Sequence, residues 1–277
     1  MNTGKVENPK GEKFNPAGLR EVSNPVDIVY PLGTGSLFNN LELRYSLRSL
    51  EKYVHNYQTV YIVGEKPGWI NWEKEADESA GKIIHIPYKE FTGSDRAHNV
   101  VCKLFTACEM PELTEDFLLM NDDFFFVCTR DAVTYPNYYK GEIKDTITTH
   151  RNFHYKRRLQ MTYDELKARG FGTRDFGIHL PVIINKTAFP YILGEFEFSA
   201  EKTYSFRCLY GNLRILEATY LTDVKIYTAL KTPEQIESKA SYRDCISIND
   251  ASLNDAMKIF LQNKFPEPSP YEIPGTE

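Results

Sequence analysis

FLLMNDDFFF, Phe117 to Phe126, places three polar residues, Asn121, Asp122 and Asp123, between two runs that both demand burial. A short apolar run ended by a polar turn reads as a fully buried strand, of the kind found inside a parallel sheet covered on both faces. In an open α/β sheet, ligands bind beyond the carboxyl ends of the strands, so the Asn-Asp-Asp turn falls where a site belongs. Asn and Asp also favour plain turns. The two apolar flanks point instead to a turn held at the rim of a pocket. Adjacent carboxylates repel one another, and protons or a hard divalent cation shared with phosphate oxygens would offset that repulsion.

Working outward, VDIVYPL (26–32), TVYIVGE (59–65) and KIIHIPY (82–88) are further β-branched apolar runs. LFNNLELRYSLRSLEKYV carries Leu41, Tyr45, Leu47, Leu50 and Val54 near helical period, with Asn39 or Asn40 as cap. DRAHNVVCKLFTACEM suits a helix ended by Pro111, with Asp95 as its cap. The order strand, helix, strand, strand, helix, strand predicts an α/β fold with a mostly parallel, Rossmann-like sheet flanked by helices. In the second half, MTYDELKARG reads as a helix and IHLPVIINK as a strand broken by Pro181. With no repeat or linker in view, residues 25–277 read as one domain behind a polar lead-in, 1–24.

The 277 residues carry a formal net charge of −5, which excludes a global basic field drawing the chain to nucleic acid or anionic lipid. Five cysteines, odd in number and without CxxC spacing, read as reduced thiols rather than a disulfide frame or zinc site. The polar N-terminus lacks the apolar core of a signal peptide, and no apolar run approaches the ~20 residues of a membrane span. The expectation is a cytoplasmic protein without an integral membrane segment.

Several residues are candidates for ligand chemistry. Pro31, Leu32, Gly33, Thr34 and Gly35 form a loop after the first strand whose glycines permit close approach to a ligand. Arg44 and Arg48, four apart on one helical face, suit a phosphate or base. Arg96 and Lys103 on the following helix suit a diphosphate, although charged helix residues mostly face water. THRNFHYKRR interleaves His150, Arg151, His154 and Arg157 with Phe153 and Tyr155, a pattern able to bind a polyanionic acceptor or to form a solvated basic loop. His179, in an apolar run, is either a satisfied core residue or an acid–base group. Arg207 offers a bidentate donor to phosphate, and Asn249 with Asp250 is a turn or a further piece of the site. FPEPSPYE reads as an ordered tail laid across the fold.

LELRYSLRSLEKY, then VYIV, a Pro-Gly-Trp and MPELTEDFLLMNDDFFF, resemble the second conserved region of the Stealth family of sugar-phosphate transferases. VDIVY is similar to the start of that family's first region, His179–Pro181 to the His-x-Pro of the third, and SINDA with FPEPSPYE to the fourth. The resemblance implies a GT-A-like transferase using a nucleotide sugar, a UDP-sugar above all, with a hydroxyl-bearing acceptor such as a glycan. It implies Mn²⁺ or Mg²⁺ on Asp122 and Asp123 and places His179 near the reacting centre; the residue chemistry itself adds donor contacts from the 31–35 loop, Arg44, Arg48, Arg96, Lys103, Asn121 and Arg207, with Asp123 and Asp250 as further catalytic candidates. PLGTGSLFNN departs from the family's first region by lacking its acidic residue, which leaves open transfer of a sugar-1-phosphate or of the sugar alone. Glycosyl transfer to modified bases of phage DNA, with His150, Arg151, His154 and Arg157 as acceptor contacts, and a catalytically inactive sugar-nucleotide binder are the alternatives.

Overall fold

The computed structural model describes residues 24–34, 36–73, 81–91, 96–198 and 202–276. Gly35, Asp95 and nearly all of the expected lead-in lie outside the described residues.

The central sheet runs β4-β3-β1-β5-β9, built from β1 (Val26–Leu32), β3 (Tyr57–Gly64), β4 (Lys82–Pro87), β5 (Asp116–Leu119) and β9 (Val182–Asn185). β1 pairs in parallel with β3 and β5, and β3 with β4, while β9 closes the far edge antiparallel to β5. The chain is thus α/β with a mostly parallel sheet, as the apolar runs predict. β1 shows why those runs do not alternate with polar residues. Ile28, Tyr30 and Leu32 enter the core on one face and Val29 enters the core on the other, so both faces are covered.

α1 (Leu41–Tyr53) packs on the first face and α2 (Arg96–Cys108) on the second, where α4 (Phe153–Ala168), α5 (Ala188–Gly194) and α6 (Phe206–Arg214) join it. Asn40 is the N-cap of α1, but its side chain makes no capping bond. Asn39 and Asn40 instead adopt positive φ of 53° and 56°, and the Ser36 hydroxyl accepts from Phe38 N and Asn40 N. Asn tolerates this left-handed geometry better than most residues, so the pair turns the chain into the helix.

Phe124–Phe126 is a strand of its own, β6, antiparallel to β11 (Cys245–Ser247). All three phenylalanines are fully buried. α1 holds β6 through serines, with Ser46 Oγ donating to Phe124 O at 2.6 Å and Phe126 N donating to Ser49 Oγ at 3.1 Å. Short ladders join β2 (Val54–His55) to β7 (Arg130–Asp131) and β8 (Tyr138–Tyr139) to β10 (Thr219–Tyr220). α3 (Ile143–Thr149) precedes α4, and α7 (Pro233–Ala240) and α8 (Asp255–Lys264) share a third core with Phe125. Helix α4 begins at Phe153, so the basic segment expected as a loop is partly its first turns, with Asn152 accepting from Tyr155 N as cap. No helix among the described residues is long and apolar enough to cross a membrane.

Candidate active site

Because β1, β3, β4 and β5 are parallel, Leu32, Gly64, Pro87 and the Asn121–Asp123 turn all arrive at one edge of the sheet. A cavity of about 510 Å³ opens there, lined by Thr34, Gly64, Pro87, Tyr88, Lys89 and Glu90. Gly64 has φ +123°, and a Cβ there would lie 2.2 Å from Leu32 O, so only glycine lets β3 end against β1. Lys103, fully buried, crosses beneath Gly64 to donate to Leu32 O at 2.6 Å and to Glu90 Oε1. Thr34 Oγ1 donates to the other Glu90 oxygen at 3.1 Å. Burial pushes the Glu90 carboxyl up, but the hydrogen bond and charge of Lys103, helped by Thr34, prevail and hold it below its usual range. Lys103 was expected to meet a diphosphate; its ammonium instead fixes an ionised carboxylate at the cavity wall.

At the end of β5, Phe124 N donates to Asn121 O and closes the turn. Asp123 Oδ2 accepts from Lys225 Nζ and Ser247 Oγ, each at 2.9 Å, while its Oδ1 is buried without a hydrogen-bond partner. Asp122 is pushed up to about 7, first by burial, then by the charges of Asp123 and of Glu42 in the first turn of α1. Glu42 is itself raised by burial and by Asp250 and Asp123. The negative charges of Glu42, Asp122, Asp123 and Asp250 therefore act on this corner together, and Asp250 is exposed.

Positive charge faces them. Arg207, at the start of α6, lies over the Phe124 ring at 5.7 Å and donates through Nη1 to Leu180 O and Ile178 O. Its Nη2 is buried without a partner. Burial lowers its pKa to about 10 against the supporting charges of Asp123 and Asp223.

His179 is joined to the Lys225 segment through Asp223. Its Nδ1 is 2.8 Å from Asp223 Oδ2 and its ring meets Tyr227 edge-on, centroids 6.0 Å apart. Burial lowers the His179 pKa, against the opposing hydrogen bond and charge of Asp223. Asp223, Lys225 and Tyr227 alternate with the buried Val224 and Ile226 along one extended segment, which presents the three polar side chains to the site together.

Other expected residues are placed elsewhere. Arg48 donates from Nε and Nη2 to the two oxygens of Glu272, both at 2.7 Å, and Arg44 lies 3.7 Å from the same carboxylate with its guanidinium over Trp69. These arginines clamp the C-terminal tail inside the fold rather than reach a donor phosphate. Pro31 and Leu32 are strand residues, and Arg96 is exposed at the start of α2. His150 stacks on Tyr155 at 4.5 Å, while Arg151, His154 and Arg157 are exposed along the start of α4. The sequence reading missed Glu42, Glu90, Asp223, Lys225 and Ser247. For Asp223 and Lys225 a signal existed, the period-two alternation of Asp-Val-Lys-Ile-Tyr.

Among the described residues no group of three or more His, Cys, Asp or Glu side chains is arranged to hold a metal ion by itself. The donor set still fits a shared one. Mg²⁺ and Mn²⁺ sites commonly use one or two carboxylates, several waters and substrate phosphates, and Asp122 with the idle Asp123 Oδ1 would be the protein's part of such a site.

No family model matches the chain, and no curated protein matches it in sequence. Among solved structures, it is similar to the galactosyltransferase LgtC in complex with donor and acceptor sugar analogues, with 14% identity, 90% of this chain and 98% of that one covered, and a TM-score of 0.49. Mouse xyloside xylosyltransferase 1 aligns over 84% of this chain and 100% of its own at 12% identity and a TM-score of 0.39. The glycosyltransferase GlyE of Streptococcus pneumoniae aligns over 91% and 66% at 10% identity and a TM-score of 0.41.

Proposed function

We propose that this chain is a transferase that takes a sugar from a nucleotide sugar, with a UDP-sugar as the first donor to test, and passes it to an acceptor hydroxyl. The observation that carries this reading is the meeting, at one sheet edge, of a nucleoside-sized cavity with the Asp122–Asp123 corner and its facing cations Lys225 and Arg207. The nucleoside would occupy the cavity, where Tyr88 offers a ring and Glu90 an ionised acceptor for ribose or base donors. The diphosphate would lie toward the acidic corner, with Lys225 and Arg207 supplying positive charge. Mg²⁺ or Mn²⁺ on Asp122 and Asp123 Oδ1 would supply charge for the leaving diphosphate.

The acceptor enters, in this reading, on the His179 side. An imidazole held by Asp223 suits the general base better than Asp250, which is exposed and lies among other acids. The ordered likeness to Stealth regions supports nucleotide-sugar chemistry but leaves the transferred group open. Chromatography of the spent donor separates the two cases. Released nucleoside diphosphate reports sugar transfer, and released nucleoside monophosphate reports sugar-phosphate transfer. The expected result is nucleoside diphosphate from one member of a panel of UDP-, GDP-, CDP- and dTDP-sugars incubated with Mn²⁺ and simple glycosides. Release of no nucleotide from any donor overturns the reading.

A further inference from the structure

Asp223 lies outside the motifs visible in the sequence, yet both of its oxygens are held. Its two oxygens stand 2.8 and 3.0 Å from His179 Nδ1. Backbone N–H groups of His179 and Lys225 donate to Oδ1 at 3.3 and 3.4 Å, and Lys140 Nζ donates to Oδ2 at 3.2 Å. Lys140 is itself 4.0 Å from Asp175, which is fully buried and accepts from Thr146 Oγ1, Gly177 N and Cys208 Sγ. This is more support than one surface ion pair needs. Its effect is to fix the angle and the proton of a single imidazole.

We infer that Asp223 is a positioning residue: it holds the proton of His179 on Nδ1 and so turns Nε2, bare of hydrogen, toward the acceptor hydroxyl. The inference rests on the transfer reading above and specifies its acceptor half. The His179 side chain is 27% exposed, and no bond from its Nε2 to protein is seen among the described residues. A histidine nitrogen is made basic or acidic by the bond its partner nitrogen makes, and a carboxylate can only accept. In the step this permits, the acceptor O–H proton passes to Nε2 as the oxygen bonds to the anomeric carbon. The bond from that carbon to the diphosphate breaks, and its electron pair leaves with the nucleoside diphosphate. Nδ1 keeps its proton throughout.

The charged groups facing the ring are Asp223, Lys140 and Lys225, with Tyr227 on its flank and Tyr155 behind Asp223. Asp223 and the lysines act in opposite directions on the imidazolium, so removing Asp223 lowers the His179 pKa. Two readouts test the inference on the full chain: ¹⁵N spectra of labelled histidine, with His179 assigned by His179→Gln, and turnover, with Mn²⁺ and simple glycosides, of whichever nucleotide sugar in the UDP-, GDP-, CDP- and dTDP-sugar panel supports transfer. In the wild type at pH 8, His179 is expected to show a protonated Nδ1 and a bare Nε2. In Asp223→Ala the proton is expected to shift toward Nε2, kcat to fall about 10²–10⁴-fold with little change in donor KM, and the acid limb of the pH profile to move to lower pH. Asp223→Glu should restore part of the rate, and Tyr242→Ala, fully on the surface, should match the wild type. A wild-type spectrum dominated by protonated Nε2 overturns the inference without any variant. So does an Asp223→Ala rate within about threefold of wild type, which would leave the transfer reading standing. Absence of turnover in the wild type overturns that reading instead, while the spectra still decide whether Asp223 sets the tautomer.

Discussion

Asp123→Asn is expected to lower transfer by about 10²–10³-fold, the scale seen when one preorganised electrostatic group at a reacting centre is removed. The substitution keeps the size of the side chain and its acceptor for Ser247, so the loss isolates the charge. Asp123 is the residue on which the corner's electrostatics turn. It anchors Lys225, supports the Arg207 cation and raises Asp122. Removing its charge relieves the repulsion on Asp122, which offsets part of the stability lost when Lys225 is left unpaired. A melting temperature within a few degrees of wild type, together with collapsed kcat/KM, is therefore the expected pair of results. Full activity in a well-folded Asp123→Asn would place the chemistry elsewhere.

Glu272→Ala is expected to be the most destabilising single change in the tail, by about 3–5 kcal/mol, because it strands a buried arginine. Glu272 and Arg48 side chains are 4% and 5% exposed. The carboxylate also accepts from Ser269 N at 2.8 Å, and Arg48 donates to Phe265 O at 3.3 Å, so one residue ties the tail to α1. For a chain of this size the loss corresponds to a fall in Tm of roughly 6–20 °C. Its pH dependence has a definite sign. Burial raises the Glu272 carboxyl, but the hydrogen bond and charge of Arg48 outweigh burial and depress its pKa in the folded state. The contribution is therefore present above the unfolded value of about 4.3 and lost as pH falls through the folded pKa. The difference in chemical-denaturation midpoint between wild type and variant should be constant near neutrality and shrink below about pH 4. A difference that persists undiminished at pH 3 would show that packing, not the ion pair, carries the effect.

The sheet was legible because each parallel strand must be apolar on both faces, a pattern that VDIVYPL and FLLM announce without help from the rest of the chain. The Asn-Asp-Asp turn followed from the same logic, since polar residues that interrupt such a run mark its carboxyl end. What could not be read were the partners. Arg44 and Arg48 share a helical face whether they meet a phosphate or the carboxylate of Glu272, 224 residues after Arg48, and i, i+4 spacing cannot separate the two. Lys103 likewise reads as a helix cation until Glu90 and Leu32 O are seen beside it. Ser247 reaches Asp123 only because β11 pairs with the three phenylalanines of β6, a long-range ladder with no local signature. Asp223 and Lys225 carry a local signal, the alternation of Asp-Val-Lys-Ile-Tyr, but nothing in that segment names His179 and Asp123 as their partners.

The central claim is that the acidic corner and the cavity beside it form one donor site. Equilibrium binding of nucleotide sugars, followed by the shift in melting temperature with and without Mn²⁺, tests it most directly. The claim predicts that one nucleotide family stabilises the wild type, more strongly with Mn²⁺. Glu90→Ala should weaken that stabilisation whether or not the metal is present, and Asp122→Asn should remove only the part that depends on the metal. Stabilisation that is unchanged in both variants, or given by no nucleotide sugar at all, would contradict it.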